Sequence, residues 1–302
     1  MGRTGNRSRT IRVWAAAAAL AGVVLAGCSS DPPSLFAEGK VEVGAKSDQP
    51  GTSYSPHDGE FNGFDITVAR EVLDRVGVKT PSFKGVLSKN RVGALDKGDV
   101  QLIAATYSIT KERMAPTSKD HVGVDFVGPY AATQQGLLVR TKDAGRFKKL
   151  KDLEGEEVCV WEGTTSEALL KSPAYQLIHT TSKTDARDCV KLLRDGLVAA
   201  VSTDQLLLYG FMAVEPKLTV VRSFAFGAPN YYGIAMAKGH RGDCKKLRQA
   251  LTEYALSNDW DRDFQLNLSG VPKDIRDSAR PTSDAIDTYS CRDEPGNRKM
   301  DD

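Results

Sequence analysis

The sequence predicts an α/β fold of two similar lobes with a ligand cleft between them. Segments with strand character alternate with segments of helical periodicity, which is typical of sheets with parallel strands. At residues 104–113 a strand runs into a hydroxyl-rich loop and then into a helix start. The same order recurs at 157–168, where the loop is rich in Gly, Thr and Ser. Ligands of open α/β sheets bind at the carboxyl ends of strands. We therefore expect the two loops to face each other across the cleft.

Local patterns predict the elements of the first lobe. Polar and apolar residues alternate over 40–46, which indicates a strand. An apolar residue at every third or fourth position predicts a helix that begins at Phe64 and is capped by Gly77. A second helix is expected over residues 90–97. The strand at 100–104 then leads into the first of the two loops.

The rest of the chain continues the alternation after an interruption at Gly128-Pro129-Tyr130. Strands are predicted over 136–140, 157–160, 198–204 and 231–237, and helices from Ser166, over 188–194 and over 243–256. Residues 272–302 are charged and contain Pro, and we expect a poorly ordered tail there.

The N-terminus has the pattern of an export signal. Four Arg residues precede an apolar, alanine-rich segment at 13–24 that is too short to span a bilayer. Leu25-Ala26-Gly27-Cys28 follows and resembles the bacterial lipobox. We expect a signal peptide over residues 1–27, lipidation of Cys28, a flexible tether over 28–39 and a location on the extracytoplasmic face of the cell membrane. The alternative is an ordinary secretory signal with an incidental Cys28.

Charge and cysteine content exclude several classes of function. Without residues 1–27, 37 basic residues face 39 acidic ones, a net charge of −2 that argues against nucleic-acid binding. The four remaining Cys allow three disulfide pairings, and we favour Cys159–Cys189 with Cys244–Cys291 because each pair then lies within one lobe. There is no Cys-x-x-Cys and the His residues are scattered, so we expect no metal site, redox dithiol or cofactor.

The loop before Arg113 has the chemistry of an anion site. Thr110 is a candidate N-cap, and the free N–H groups of a helix start attract anions. A cation in the first helical turn is normally disfavoured by the helix dipole. Arg113 is therefore either solvated or shares an anion with the helix end. Its guanidinium could hold a carboxylate or phosphate through two parallel hydrogen bonds.

Eight motifs occur in the order and spacing found in one protein family. They are Val43-Gly44-Ala45-Lys46-Ser47-Asp48-Gln49-Pro50, Gly63-Phe64-Asp65, Asn90-Arg91, Ser108-Ile109-Thr110-Lys111-Glu112-Arg113, Gly128-Pro129-Tyr130, Gly163-Thr164-Thr165-Ser166, Thr203-Asp204 and Tyr232-Gly233. From about residue 40 to 269, the chain resembles the bacterial extracellular solute-binding proteins of the polar amino-acid type, family 3. These are the capture subunits of ABC importers. The opening motif and the Asn-Arg pair are most similar to glutamate/aspartate-binding lipoproteins of actinobacteria.

The resemblance implies a role for each matching residue. Arg113 would bind the ligand α-carboxylate with help from Ser108 and Thr165. Asp204 would accept from the α-ammonium together with the carbonyl of Thr106, since both charges of a zwitterion must be matched when water is removed.

Lys46 and Arg91 occupy the positions that hold the distal carboxylate in acidic-amino-acid binders of the family. Two cations favour Glu or Asp over Gln or His, with Glu slightly ahead. Trp161 stands where the family often has a basic residue, and either packs over the ligand or fills space on the hinge side.

The resemblance also implies a type II periplasmic-binding-protein fold. Residues 40–130 plus 229–271 would form the first lobe and 131–228 the second, with hinges near 130–135 and 225–231. Closure on the ligand would precede docking on a membrane permease that is driven by an ATPase. Two alternatives use the same fold. A sensor would present the closed form to a membrane receptor. An enzyme such as a dehydratase would need a catalytic acid or base at the ligand.

Overall fold

The computed structural model describes residues 1–2, 32–57, 59–115, 123–294 and 296. The predicted signal peptide from residue 3 onward, Cys28 and residues 29–31 of the predicted tether lie outside these residues. The unit Pro32–Asp302 contains all the helices and strands described below. Among the described helices, none combines the length and the apolar character needed to cross a membrane.

Eleven strands are present in the described residues. They are β1 (Glu42–Ala45), β2 (Asp48–Gln49), β3 (Ser53–Tyr54), β4 (Ser82–Gly85), β5 (Leu102–Ile103), β6 (Val124–Arg140), β7 (Glu157–Trp161), β8 (His179–Lys183), β9 (Ala200–Asp204), β10 (Leu218–Val220) and β11 (Phe226–Ala237).

Ten α-helices are present in the same residues. They are α1 (Phe64–Arg75), α2 (Arg91–Asp96), α3 (Lys111–Met114), α4 (Thr165–Leu170), α5 (Ala186–Arg194), α6 (Gln205–Val214), α7 (Arg241–Leu256), α8 (Asn258–Asn267), α9 (Lys273–Ala279) and α10 (Ser283–Tyr289).

The fold is the predicted two-lobed α/β fold, built on one curled sheet of order β4-β1-β5-β11-β6-β9-β7-β8, with β10 on β6. Parallel strands β4, β1 and β5 form the sheet of the first lobe, and parallel strands β9, β7 and β8 that of the second. Between them lie the long antiparallel strands β6 and β11. Because β11 pairs with β5 near its end and β6 pairs with β9 near its end, both strands pass from one lobe to the other.

Helix α1 follows the sequence pattern closely. Its buried face includes Ile66, Ala69, Val72 and Leu73, as the apolar periodicity predicts. After the helix, Gly77 has φ 93° and donates its N–H to the carbonyl of Asp74. The predicted glycine cap is confirmed, because this backbone conformation is open to Gly without steric cost.

The predicted interruption at Gly128-Pro129-Tyr130 is wrong, because β6 continues through it. At this point β6 lies so close to β11 that a Cβ on Gly128 would sit 2.8 Å from the Cα of Gly233. Here glycine allows close backbone approach, a use that a local turn signal does not distinguish.

The prediction of a poorly ordered tail is wrong for residues 273–291, which form α9 and α10 and end in a disulfide. Ala279, Ala285 and Ile286 are buried, and the hydroxyl of Ser290 bonds to the backbone of Gly128 in β6. The few apolar side chains of this segment meet the core, and the charged residues that dominate its composition stay outside. Residues 297–302 lie outside the described part.

The predicted tether over residues 28–39 is wrong for its second half, because the chain already contacts the fold at Ser34. The Ser34 hydroxyl and the Leu35 N–H both donate to the carboxylate of Asp243 in α7, each at 2.7 Å. Leu35 and Phe36 also pack against the core. The segment is therefore part of the folded unit from about residue 34 onward.

The favoured disulfide pairing is confirmed. Cys159 in β7 is bonded to Cys189 in α5, and Cys244 in α7 is bonded to Cys291 after α10. The first bond holds a helix on its own sheet in the second lobe. The second bond holds the C-terminal helices on the first lobe.

Candidate functional site

A small cavity lies where the carboxyl ends of β5, β7 and β9 meet the starts of α2, α3 and α4, and its volume is about 10 Å³. Six of the seven predicted ligand-binding residues line it, namely Arg91, Thr106, Ser108, Arg113, Thr165 and Asp204. A larger cavity of about 470 Å³ lies between β6, β11 and the C-terminal helices, and contains none of the seven. We place the candidate site in the small cavity because the charged side chains converge there.

Arg113 lies in the short helix α3. The Thr110 hydroxyl caps this helix by accepting the N–H of Arg113, as predicted. The Arg113 guanidinium donates to the carbonyl of Ser108 at 2.7 Å and to that of Gly163, in the opposite loop, at 3.1 Å. Burial lowers the pKa of Arg113. The side chain therefore turns into the cleft.

Arg91 is the first residue of α2 and is 3% exposed. Its guanidinium donates to the carbonyls of Ser88, Ala105 and Gly163, at 2.8–3.1 Å. Burial, and then the charge of Arg113, lower the pKa of Arg91 to about 9. The sequence leaves open a solvated position on the helix surface, and the structure places Arg91 inside the cleft.

The two guanidiniums share one aromatic ring. Their Cζ atoms lie 4.0 Å (Arg91) and 4.5 Å (Arg113) from the ring centroid of Tyr107, within the range of cation–π attraction. Among the described residues, neither has a carboxylate partner within 4.0 Å, and their hydrogen-bond acceptors are neutral carbonyls. This is an arrangement to which an anion would add strong charge-assisted bonds.

Asp204 lies at the end of β9 and is 3% exposed. Its carboxylate accepts from the hydroxyl of Tyr232 at 2.7 Å, from the amide of Asn230 at 2.6 Å and from that of Gln135 at 3.2 Å. Burial raises the pKa of Asp204 to about 6. The cavity lining thus carries two cations against one acidic group.

Thr106 has a left-handed backbone conformation, with φ 45°. Such a conformation is strained for a β-branched residue and needs support from its surroundings. The N–H of Thr106 donates to Asp65 at 2.7 Å and its hydroxyl to Gln49 at 2.9 Å. Asp65 also accepts from Tyr130, and burial raises the pKa of Asp65 to about 7. Asp65, known only as a motif residue from the sequence, is therefore a support of the site.

Helix α4, which follows the second loop, begins one residue earlier than predicted. Thr164 is the N-cap and accepts the N–H of Glu167, so Thr165 is the first helical residue. The Thr165 hydroxyl lies 3.4 Å from the amide nitrogen of Gln135. The free N–H groups of this helix start adjoin the cavity that Arg113 lines from the other lobe.

Lys46 does not line the cavity. It is 1% exposed, and its ammonium lies 3.3 Å from Asp48 Oδ1 and 3.3 Å from the carbonyl of Val86. Burial lowers the pKa of Lys46, partly offset by the charge of Asp48. Lys46 therefore lies near the cavity, but its ammonium is paired with the carboxylate of Asp48, two residues further along the chain.

Six further residues line the cavity and were not among the seven predicted ligand-binding residues, namely Gln49, Ser88, Trp161, Thr164, Thr203 and Leu207. Trp161, whose position the sequence left open, is 1% exposed, and its indole N–H has no hydrogen-bond partner among the described residues. Gln49 and Thr203 lie within the motifs that match the family, and this match was the sequence signal that could have identified them. Leu207 lies in α6, a helix that was not predicted.

The sequence is similar to those of known bacterial binding proteins. Residues 41–266 match the profile of the bacterial extracellular solute-binding proteins, family 3. The chain is 33% identical over 285 residues to the glutamate-binding protein GluB of Corynebacterium glutamicum, covering 86% of this chain and 93% of the relative. It is 32% identical over 216 residues to the glutamine-binding protein GlnH of Bacillus subtilis, covering 70% and 74%.

The fold is also found among solved structures. A mutant of the protein ArgBP from T. maritima superimposes with a TM-score of 0.68 at 26% identity, covering 78% of this chain and 97% of that one. Its similarity extends over both lobes.

Proposed function

Because this chain belongs to family 3 of the bacterial extracellular solute-binding proteins, we propose that it binds an amino acid in this cavity. The preferred ligand is glutamate, with aspartate as the nearest competitor. Relatives named for glutamate and for glutamine have nearly the same identity to this chain, 33% over 86% of it and 32% over 70% of it. The choice between the two therefore rests on the chemistry of the cavity.

The observation that carries the proposal is the pair of guanidiniums over Tyr107, whose hydrogen-bond acceptors within the described part of the chain are all backbone carbonyls. With Asp204 ionised, Arg91 and Arg113 leave the cavity lining with one excess positive charge. A zwitterion such as glutamine would leave that charge unmatched. An acidic amino acid carries one net negative charge and would neutralise the lining, which matters most where water is excluded.

The three charged groups of glutamate then have separate partners. The α-carboxylate binds Arg113, the Ser108 hydroxyl and the helix start at Thr165. The ammonium binds Asp204 and the carbonyl of Thr106. The distal carboxylate binds Arg91. Lys46 would have to leave Asp48 to reach it, so the proposal relies on Arg91 for this contact.

Capture requires the lobes to part and close. A cavity of about 10 Å³ holds no more than a water molecule, so an amino acid enters only when the two loops separate. We place the first lobe at residues 40–130 plus 229–271, with α9 and α10 packed on it, and the second at 131–228. The hinges lie near 130–135 in β6 and 225–231 at the start of β11. A ligand that contacts both lobes favours the closed form by its differential affinity.

The closed protein, anchored through a lipid on Cys28 at the extracytoplasmic face, would deliver its ligand to an ABC permease and ATPase. We propose no catalysis, because Asp204 is the one acidic side chain among the described cavity residues and is assigned to the ammonium.

The test is a calorimetric titration of residues 29–302 with Glu, Asp, Gln, Asn, Arg and His. We expect tight Glu binding, and a loss of at least about thirtyfold in Arg91→Ala, because removing one partner of a buried charge pair costs about 2–5 kcal/mol. The matched control is Lys97→Ala, which removes an exposed cation at the other end of the same helix, α2. Tight Gln binding that is indifferent to Arg91 would overturn the glutamate assignment. Failure of every amino acid to bind would overturn the function.

A further inference from the structure

The segment 48–51 of the first lobe contacts the second lobe outside the ligand cavity. The N–H groups of Phe64 and Asp65, at the start of α1, donate to the carbonyls of Gly51 and Thr52, so this segment moves with the first lobe. Its Asp48 carboxylate is 2% exposed and accepts the backbone N–H of Ala186, the first residue of α5, at 2.8 Å.

Helix α5 is a suitable partner for this carboxylate. Its nine residues begin after the N-cap Asp185, and the free N–H groups and dipole at its start favour a negative charge. The Cys159–Cys189 bond joins α5 to β7, whose last residue, Trp161, lines the ligand cavity. Helix α5 is therefore covalently joined to β7, the strand that leads into the loop of Gly163.

The other carboxylate oxygen of Asp48 is held by Lys46. The ammonium lies 3.3 Å from Oδ1, and Lys46 and Asp48 are 1% and 2% exposed. A buried ammonium without a partner is strongly unfavourable, so the ion pair with Lys46 holds the Asp48 carboxylate in its orientation. Asp48 in turn keeps Lys46 away from the cavity.

A second close contact lies beside the first. In α6 of the second lobe, Gly210 is so near segment 48–51 that a Cβ would sit 1.9 Å from the carbonyl oxygen of Pro50. The absence of a side chain on Gly210 permits this approach. The segment thus rests on the start of α5 and the middle of α6 together.

We propose that Asp48, oriented by Lys46, is a closure latch. It is a positioning residue that bonds the start of α5 when the lobes are together and sets how long the closed form lasts. Asp48 does not touch the ligand, so its contribution is the same for every ligand. The proposal rests on the capture by lobe closure proposed above, and the test below separates the two.

The test deletes the donor and keeps the helix. Proline is well tolerated at the first helical position, and Asp185 already has the extended backbone that precedes a proline. Ala186→Pro therefore removes the N–H that Asp48 accepts. The matched control is Ser283→Pro at the first position of α10, which is away from the cleft. A second variant, Lys46→Met with Asp48→Leu, replaces the buried ion pair by apolar groups of similar size and removes the acceptor of the Ala186 N–H.

Dissociation of labelled glutamate and of labelled glutamine is followed for the full chain in detergent, together with its thermal unfolding. We expect ten- to hundredfold faster dissociation in Ala186→Pro and in the double variant, by the same factor for both ligands. Association should match that of Ser283→Pro. The unfolding temperature of the ligand-free double variant, which leaves the fully buried Ala186 unchanged, should match that of the unmodified protein.

Dissociation equal to that of Ser283→Pro would overturn the latch. So would a loss confined to glutamate in the double variant, because that result would make Lys46 a ligand contact. If the unmodified protein binds no amino acid, the proposed function fails and small-angle scattering decides on the latch. A larger radius of gyration in Ala186→Pro than in Ser283→Pro would support it, and equal radii would overturn it.

Discussion

Tyr107 has an unusual position, with a guanidinium approaching its ring from Arg91 at 4.0 Å and another from Arg113 at 4.5 Å. Two like charges at one buried site repel each other, and burial lowers the pKa of both groups. The ring and the backbone carbonyls offset part of this repulsion before a ligand arrives. The anion that we propose as ligand would offset the rest.

The contribution of the Tyr107 ring to glutamate affinity can be tested by substitution. We expect Tyr107→Leu to weaken glutamate binding about tenfold, because cation–π attraction is worth about 0.5–2 kcal/mol when partly desolvated. Tyr107→Phe keeps the ring and should bind nearly as tightly as the unmodified protein. Calorimetric titration measures both. Equal affinities of the Leu and Phe variants would show that the ring does not stabilise the cations.

Asp204 should make binding depend on pH. Burial raises the pKa of Asp204 to about 6, and only its carboxylate form matches the ligand ammonium. At pH 5 about one tenth is ionised, so glutamate affinity should be about tenfold weaker than at pH 7. Titrations between pH 5 and 8 measure this, and Asp204→Asn should bind weakly with no such dependence. An affinity that is constant over this range would contradict the assignment.

The ligand-free protein should respond to pH in the opposite sense. The folded-state pKa of Asp204 lies above the unfolded value of 3.8, so the folded protein retains this proton more tightly than the unfolded chain. The contribution of Asp204 to the free energy of unfolding therefore falls as the pH rises from about 4 to 6.

At the scale of elements, α6 illustrates a helix shaped by its neighbour. Its residues from Gln205 to Phe211 are all buried, so the helix lacks an exposed polar face. Without that face the sequence has no helical period to recognise, and the helix was missed. Gly210 at its centre is explained by the carbonyl of Pro50, which belongs to the other lobe.

The substitution Gly210→Ala should have two opposing effects. Within the helix alone, Ala is favoured over Gly by about 1 kcal/mol. The new methyl group would lie 1.9 Å from the Pro50 oxygen and must push segment 48–51 away. We expect glutamate to dissociate about tenfold faster. The control, Gly242→Ala in α7, has no atom within 4 Å of the new carbon and should leave dissociation unchanged. Similar dissociation rates in both variants would contradict the close approach.

At the scale of the whole molecule, the C-terminal helices complete the first lobe. The disulfide between Cys244 and Cys291 joins residues 47 apart in the chain, and the N–H of Cys291 bonds to Phe126 in β6. Neither cysteine nor Phe126 is among the residues that line the ligand cavity. We therefore expect this bond to support stability more than ligand selection.

Replacing both cysteines by serine should lower the free energy of unfolding by about 4 kcal/mol, from the chain entropy regained by a loop of this length. Urea unfolding of residues 29–302 measures the change. Glutamate affinity at 25 °C should remain within about twofold of the unmodified value. A large loss of affinity without a loss of stability would show that the C-terminal helices act on the hinge instead.

Local patterns were sufficient for part of this description. The helix at Phe64 with its glycine cap and the N-cap at Thr110 depend on neighbours within a few residues, and both were predicted. The cysteine pairing followed once the two lobes were recognised. The continuation of β6 through Gly128 and the order of residues 273–291 were missed, because each depends on a distant surface.

The sequence by itself determined the α/β alternation, the two loops of the cleft and, through resemblance, the family and six of the side chains that line the cavity. Only the tertiary structure decided that Lys46 turns to Asp48, that Asp48 reaches α5, and that Arg91 and Arg113 share Tyr107. The physical reason is the distance along the chain between the residues that interact. Helix periodicity, caps and turns are set by adjacent residues, whereas the partner of a buried charge is chosen by which chain segments the fold brings within a few ångströms.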